Sequence, residues 1–316
     1  MKIAVLFPGQ GSQYLGMGWE FIETDADCAA IMEQAEAVCD FPLRKLCLEG
    51  PIEELTRAIH LQPAITVTNL VCWQALQKAW GEKVVASCFA GHSLGEYSAL
   101  CAAGVLSVQD TMRLVARRGM LMEREGQKHP GAMRAVLGLS VAEIEGIVEQ
   151  CVGAGIATVA NHNTEQQIVI SGEAAALDAI GVIAASRGAK IIPLAVSVAN
   201  HSPLVADAVP DFAAFMDGVE FNRPRTPVYF NVSATVEEQP VVIREMMARQ
   251  IASRVRWCEL IQAMIAQGVD TFIEVGPKAV LKGMMRKIAP KGYVCQALQV
   301  DSPDSLAACL EQMGID

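Results

Sequence analysis

The chain has 316 residues, 52% of them hydrophobic and 19% charged, which gives ample material for a packed core and excludes a disordered chain. Asp and Glu number 35 against 25 Lys and Arg, a net charge of −10 that argues against a duplex nucleic-acid binder, which carries a basic surplus. Ten cysteines without a CxxC pair sit mostly in apolar patterns and read as reduced, buried thiols rather than a disulfide framework.

The opening MKIAVLFPGQGSQ has too short an apolar run for a signal-peptide core, and no run approaches the roughly 18 apolar residues of a membrane span. A soluble cytoplasmic protein is expected. Ile3 to Phe7 reads as a buried strand closed by Pro8-Gly9, and Gln62-Pro63 as the opening of a long helix to Trp80. Val84 to Ala90 is a second buried strand that runs into the helical GHSLGEYSALCAAG. Ser107 to Glu125 is a helix with Ser107 and Asp110 as its capping box. Buried strands alternating with helices predict a parallel α/β sheet.

The pattern then changes. Gly131 to Leu139 is a strand, and Ser140 to Cys151 a helix boxed by Ser140 and Glu143. Ile156 to Asn161 and Gln167 to Ser171 are strands, Glu173 to Arg187 a helix, and Ala189 to Val196 a strand. This βαββαβ order is that of a small ferredoxin-like unit, placed as an insert at 129–197 between flanks 1–128 and 198–316. Ser202-Pro203 starts a helix, Thr226 to Val232 is strand-like, Val241 to Ala266 is largely helical, and Thr271 to Val275 is a strand ending at Gly276-Pro277.

The strongest chemical signal is Gly91-His92-Ser93-Leu94-Gly95, a G-x-S-x-G between a strand and a helix. That is the context of a nucleophile elbow, where the chain turns sharply and the next backbone N–H faces an oxyanion. Of five histidines, His60, His129 and His162 fall in polar stretches and His92 lies inside the elbow. His201 follows VSVAN and precedes a helix start, a junction of the kind that holds ligands in α/β proteins, so it is the expected base. No acid between Ser93 and His201 ends a strand, and a third of the chain follows His201, unlike a hydrolase triad. A Ser-His dyad oriented by a backbone carbonyl fits better. Arg113, Arg117 and Arg118 cannot share one helix face, and Arg118, in the apolar LVARRGMLM, reads either as a structural ion pair or as a carboxylate ligand.

FPGQGSQ at 7–13, GHSLGEYSAL at 91–100, Arg118-Gly119, VSVANH at 196–201 and EVGP at 274–277 together resemble the malonyl-CoA:acyl-carrier-protein transacylases, over about residues 3 to 300. The resemblance implies an α/β-hydrolase-like large subdomain carrying the ferredoxin-like insert, with the active site between them. It implies Ser93 as nucleophile and His201 as base, and the Gln10 and Leu94 amides as the oxyanion hole. It makes Arg118 the ligand of the malonyl carboxylate, and Asn161, Asn200 and Gln250 substrate-site residues. The Gln250 carbonyl would orient the histidine. The implied reaction is ping-pong transfer of malonyl from malonyl-CoA to the phosphopantetheine thiol of an acyl carrier protein, with no metal or redox cofactor. Asn200 stands where relatives carry small or aromatic residues, and Arg254 and Lys278 replace a proline and a glycine.

Lys282, Arg286, Lys287 and Lys291, with Arg187 and Lys190, are candidates for docking an acidic carrier protein, or else a solvated helix face. A carrier-editing thioester hydrolase, the malonyl-transferring component of a malonate decarboxylase and a docking module with an idle site are the competing readings.

Overall fold

The computed structural model describes residues 1–196 and 198–315. Ser197, inside VSVANH and at the end of the expected insert, and Asp316 lie outside the described residues. Strand β1 (Ile3–Phe7) is followed by the short helices α1 (Trp19–Thr24), α2 (Ala26–Glu36), α3 (Leu43–Glu49) and α4 (Ile52–Leu55), then the long α5 (Ala58–Trp80). Next come β2 (Cys88–Gly91), α6 (Gly95–Ala102) and α7 (Val108–Lys128). A second unit holds β3 (Ala132–Leu137), α8 (Val141–Gln150), β4 (Ala157–Thr164), β5 (Gln167–Gly172), α9 (Ala174–Ser186) and β6 (Lys190–Pro193). The chain then forms α10 (Ala208–Met216), β7 (Val228–Tyr229), α11 (Pro240–Gln250) and α12 (Trp257–Ala266). It ends with β8 (Thr271–Val275), α13 (Val280–Ile288), β9 (Gln296–Val300) and α14 (Pro303–Met313).

The first sheet is parallel, in the order β7-β2-β1-β8-β9. Every residue of β1 is buried because both faces are covered. Ile3, Val5 and Phe7 pack into the core that includes α5, α6 and α7, while Ala4 and Leu6 face Trp257, Leu260 and Ile261 of α12 and Leu281 of α13. The second sheet is antiparallel, in the order β4-β5-β3-β6, with α8 and α9 packed on one face through Ile144, Ile147, Leu177 and Ile180. Its order and its βαββαβ course are ferredoxin-like.

Several boundaries differ from the sequence reading, each for a local reason. Helix α5 begins at Ala58 rather than Pro63, so the proline sits in its second turn, where only the Ile59 carbonyl loses a partner. Pairing of β2 starts at Cys88, because Ala4 of β1 is the first residue opposite it; before that, Ser87 makes a single backbone bond to Ile3. Edge strand β7 is only Val228–Tyr229. Ser107 caps the Asp110 amide at 3.0 Å, but the Asp110 carboxylate returns only to the Ser107 hydroxyl. Glu143, one methylene longer, reaches the Ser140 backbone N–H and closes the box. Ser202 caps a single 3-10 turn at Pro203–Val205 before α10.

The largest difference is that the expected helix Val241 to Ala266 is two helices, broken at residues 251–256. In the break the Val255 N–H donates to the Ala160 carbonyl (2.8 Å), and the His162 N–H to the Val255 carbonyl (2.9 Å). Arg254 donates to the Val159 carbonyl (3.2 Å) and to Glu145 of α8 (2.6 Å). Arg254 thus ties this segment to the second sheet.

Candidate functional site

At the end of β2 the chain turns through His92, Ser93 and Leu94 into α6. A Cβ on Gly91 would overlap the Gly95 carbonyl and the Glu96 nitrogen, and one on Gly95 would overlap the Phe7 carbonyl. The G-x-S-x-G spacing is therefore a steric demand. Ser93 takes the left-handed φ of 50°, a conformation that costs a non-glycine residue about 1–2 kcal/mol. Asn231, just beyond β7, supports it: Oδ1 accepts from the Ser93 N–H (2.7 Å) and Nδ2 donates to the Gly91 carbonyl (2.8 Å). The sequence reading missed Asn231; its residue type gives no signal in a loop.

His201 also has a left-handed φ, 58°, and its N–H is held by the Ile251 carbonyl at 3.0 Å. Its Nε2 lies 2.8 Å from Ser93 Oγ. Its Nδ1 lies 2.8 Å from the Ser253 carbonyl and 3.2 Å from that of Gln250. Carbonyls only accept, so Nδ1 carries the proton and Nε2 presents its lone pair to the serine. Burial, with the charges of Arg118 and His92, pushes the imidazole down to about 3, which keeps it neutral. The orienting carbonyl expected at Gln250 is present, but Ser253 supplies the shorter contact. Both face the imidazole because α11 ends at Gln250, whose carbonyl also accepts from the Ser253 N–H at 3.1 Å. The other histidines are elsewhere: His60 packs tilted against Phe41, His129 caps α7, and His162 pairs with Glu259 of α12 at 3.0 Å.

Arg118 is fully buried, with no carboxylate within 4.0 Å among the described residues, so the ion-pair alternative is not what the fold provides. Its Nη1 donates to Gln62 Oε1 (3.0 Å), and its Nη2 to Ser93 Oγ (3.2 Å) and Gln250 Oε1 (3.1 Å). Its Nε has no partner. Arg113 and Arg117 point away, over Phe215 of α10. Gln250 Nε2 donates to the Ser93 carbonyl and to Glu96 Oε2, both at 2.7 Å, and Glu96 Oε1 accepts from the Asn231 N–H at 2.7 Å. Burial pushes the Glu96 carboxyl up to about 7, opposed by the Asn231 and Gln250 bonds and by Arg118. Gln62 and Glu96 were not singled out from sequence, although polar residues inside the apolar runs LQPAITVTNL and GEYSAL are a readable sign.

The Gln10 and Leu94 amides donate to no protein acceptor among the described residues, which leaves both available to an oxyanion. Gln10 and Asn200 line a cavity of about 600 Å³ with Arg57, Met122, Glu123 and Val198. Asn200 is buried, and its Oδ1 has no partner among the described residues. Asn161 bridges to Val255 through its backbone, and its Oδ1 is likewise unpartnered; it is Asn163 that reaches the elbow, with Oδ1 2.8 Å from His92 Nε2. The candidate docking residues line no part of this cavity. Lys190 of β6 lies opposite Leu137, which shares a hollow with Lys287 of α13, and Arg187 caps α9 near that end. Lys282, Arg286 and Lys291 line a separate hollow beside Tyr293.

The family model of the acyl transferase domain matches residues 5–298. The chain is 36% identical over 314 residues to the malonyl CoA-acyl carrier protein transacylase of Bacillus subtilis (strain 168), covering 99% of this chain and 97% of that one. An acyl carrier protein S-malonyltransferase from Vibrio cholerae superposes with a TM-score of 0.91 at 36% identity, covering 98% of this chain and 99% of that one. The malonyl-transacylase in a complex with its type II PKS acyl-carrier protein gives a TM-score of 0.93 at 35% identity, over 99% of this chain and all of that one. No helix among the described residues is long and apolar enough to cross a membrane. Matched over almost its whole length in sequence and in fold, the chain belongs to the acyl transferase domain family.

Proposed function

We propose that this chain is an acyl-carrier-protein S-malonyltransferase that takes malonyl from coenzyme A onto Ser93 and passes it to the phosphopantetheine thiol of a carrier protein. The observation that carries this reading is Arg118, a buried guanidinium 3.2 Å from Ser93 Oγ with no carboxylate partner within 4.0 Å among the described residues. A cation held without its anion beside a nucleophile suits an acyl group that ends in a carboxylate. The names of the relatives agree with it.

In this reading His201 Nε2 takes the Ser93 Oγ proton as the oxygen attacks the malonyl thioester carbonyl, and the Gln10 and Leu94 amides receive the negative oxygen. The tetrahedral intermediate collapses, the C–S bond breaks, and the proton leaves on the coenzyme A thiol. The carrier thiol then gives its proton to His201, attacks the malonyl-serine ester, and Ser93 regains its hydrogen. No step calls for a metal or redox cofactor. Residues 129–197 act as the inserted subdomain over the cleft, and Arg187, Lys190, Lys282, Arg286 and Lys287 as the carrier-facing surface. The protein works in the cytoplasm, in keeping with ten unpaired cysteines.

Intact-protein mass after brief exposure to malonyl-CoA or acetyl-CoA tests the reading. The expected result is a malonyl adduct that is absent in Ser93→Ala, moves to added carrier protein, and loses its preference over acetyl in Arg118→Ala. Release of free malonate without an adduct would instead make the protein a thioester hydrolase.

A further inference from the structure

Glu96 lies three residues beyond Ser93 on α6, fully buried, and touches neither Ser93 Oγ nor His201. Each of its oxygens faces a donor: the Asn231 N–H at Oε1 and Gln250 Nε2 at Oε2. Gln250 in turn has three fixed contacts. Its NH₂ group faces two acceptors, Glu96 Oε2 and the Ser93 carbonyl, and its Oε1 faces the Arg118 guanidinium. Turning the carboxamide over would set oxygen against oxygen twice and donor against donor once, so one orientation survives.

We propose that Glu96 is a positioning residue for the acyl carboxylate: by fixing the Gln250 carboxamide it holds Arg118 in place and so sets the preference for carboxylated acyl groups. The proposal rests on the reading of Arg118 as the carboxylate ligand. An acid paired directly with Arg118 would occupy the guanidinium and repel the substrate carboxylate. With Gln250 interposed, Glu96 in its ionised form, the one that accepts from both facing donors, stabilises the buried cation from one side chain away, and Arg118 stays free to take an anion.

The geometry makes a carboxylate obligatory at position 96. A glutamine there has one acceptor and one donor group, and both facing groups are donors. In Glu96→Gln the amide must oppose either the Asn231 N–H or Gln250 Nε2. If Gln250 turns to relieve the second clash, its NH₂ meets the Arg118 Nη2.

The test is the second-order rate of Ser93 acylation from malonyl-CoA and from acetyl-CoA, by quenched-flow intact mass, on the full chain. Glu96→Gln should lower the malonyl rate about tenfold to a hundredfold, the effect of one buried unsatisfied contact, and the acetyl rate by no more than about threefold. An equal fall in both rates would reduce Glu96 to a structural role and overturn the proposal. Gln250→Met removes the relay by a second route. It should lose the same malonyl preference, and the double variant should lose no more than Gln250→Met alone. Additive losses overturn the proposal; so does an intact preference in Gln250→Met, the deciding result if Glu96→Gln does not fold. Arg118→Ala separates the two levels. If it keeps malonyl preference, the carboxylate-ligand reading fails; if it loses preference while Glu96→Gln keeps it, only the relay fails.

Discussion

Asn231→Ala removes the two side-chain bonds that hold the elbow, at 2.7 Å to the Ser93 N–H and 2.8 Å to the Gly91 carbonyl. The Gly91 carbonyl is buried and loses this partner at a cost of about 1–3 kcal/mol. The Ser93 amide is only half-buried, so cleft water can replace the lost acceptor and its share is about 1 kcal/mol. The sum is about 2–4 kcal/mol, a large part of the roughly 5–15 kcal/mol that holds a domain folded. The Ser93 backbone also loses the contact that offsets its left-handed strain, so the 2.8 Å approach to His201 relaxes and acylation slows more than stability alone would require. Urea unfolding at pH 7, with the malonyl-serine burst on the same samples, reads both effects. Asn231→Asp, which keeps the acceptor for Ser93 but opposes the Gly91 carbonyl, should fall between the variant and the parent. An Asn231→Ala protein within about 0.5 kcal/mol of the parent, with an unchanged burst, would refute the reasoning.

Three further outcomes are expected. Gly119→Ala should destabilise by about 1–3 kcal/mol, since a Cβ there lies 2.5 Å from the Ala58 carbonyl of α5, although helix propensity alone predicts a gain; a more stable variant in a thermal melt would contradict this. His201 is neutral when folded down to about pH 3 but takes a proton near 6.5 when unfolded, so it lowers stability progressively as pH falls from 6.5 towards 3. Between pH 7 and 5 the parent should therefore lose about 2 kcal/mol more than His201→Gln in urea titrations, and parallel losses would contradict the burial argument. Charge reversal at Arg286 and Lys287 should slow carrier attack about tenfold and leave acylation by malonyl-CoA unchanged; unaltered carrier kinetics would remove these residues from the docking surface.

What the sequence disclosed and what it withheld have physical causes. The elbow was legible because two glycines at fixed spacing report a steric demand, and His201 because only five histidines compete for the role. The βαββαβ course was legible from strand and helix periods and the Ser140–Glu143 box. Ser253 was not, since it acts through a backbone carbonyl that every residue type possesses. Asn231 meets Glu96 and Ser93 only once β7 is laid beside β2, a pairing of two residues that leaves no periodic trace. The break between α11 and α12 was hidden because residues 251–256 keep an apolar rhythm while their backbone bonds are taken by His201 and the second sheet.

That break gives one short segment two tenants. Ile251 and Ser253 hold the base by its backbone and its ring, and Arg254 and Val255 hold strand β4, with a single bond vector separating the two grips. The small sheet and the imidazole are thus connected mechanically in series. A displacement of β4 is carried to the acceptors of Nδ1 through one peptide bond, alongside its contacts to α12 through His162 and to the elbow through Asn163, so the second sheet and the aim of His201 share one backbone path.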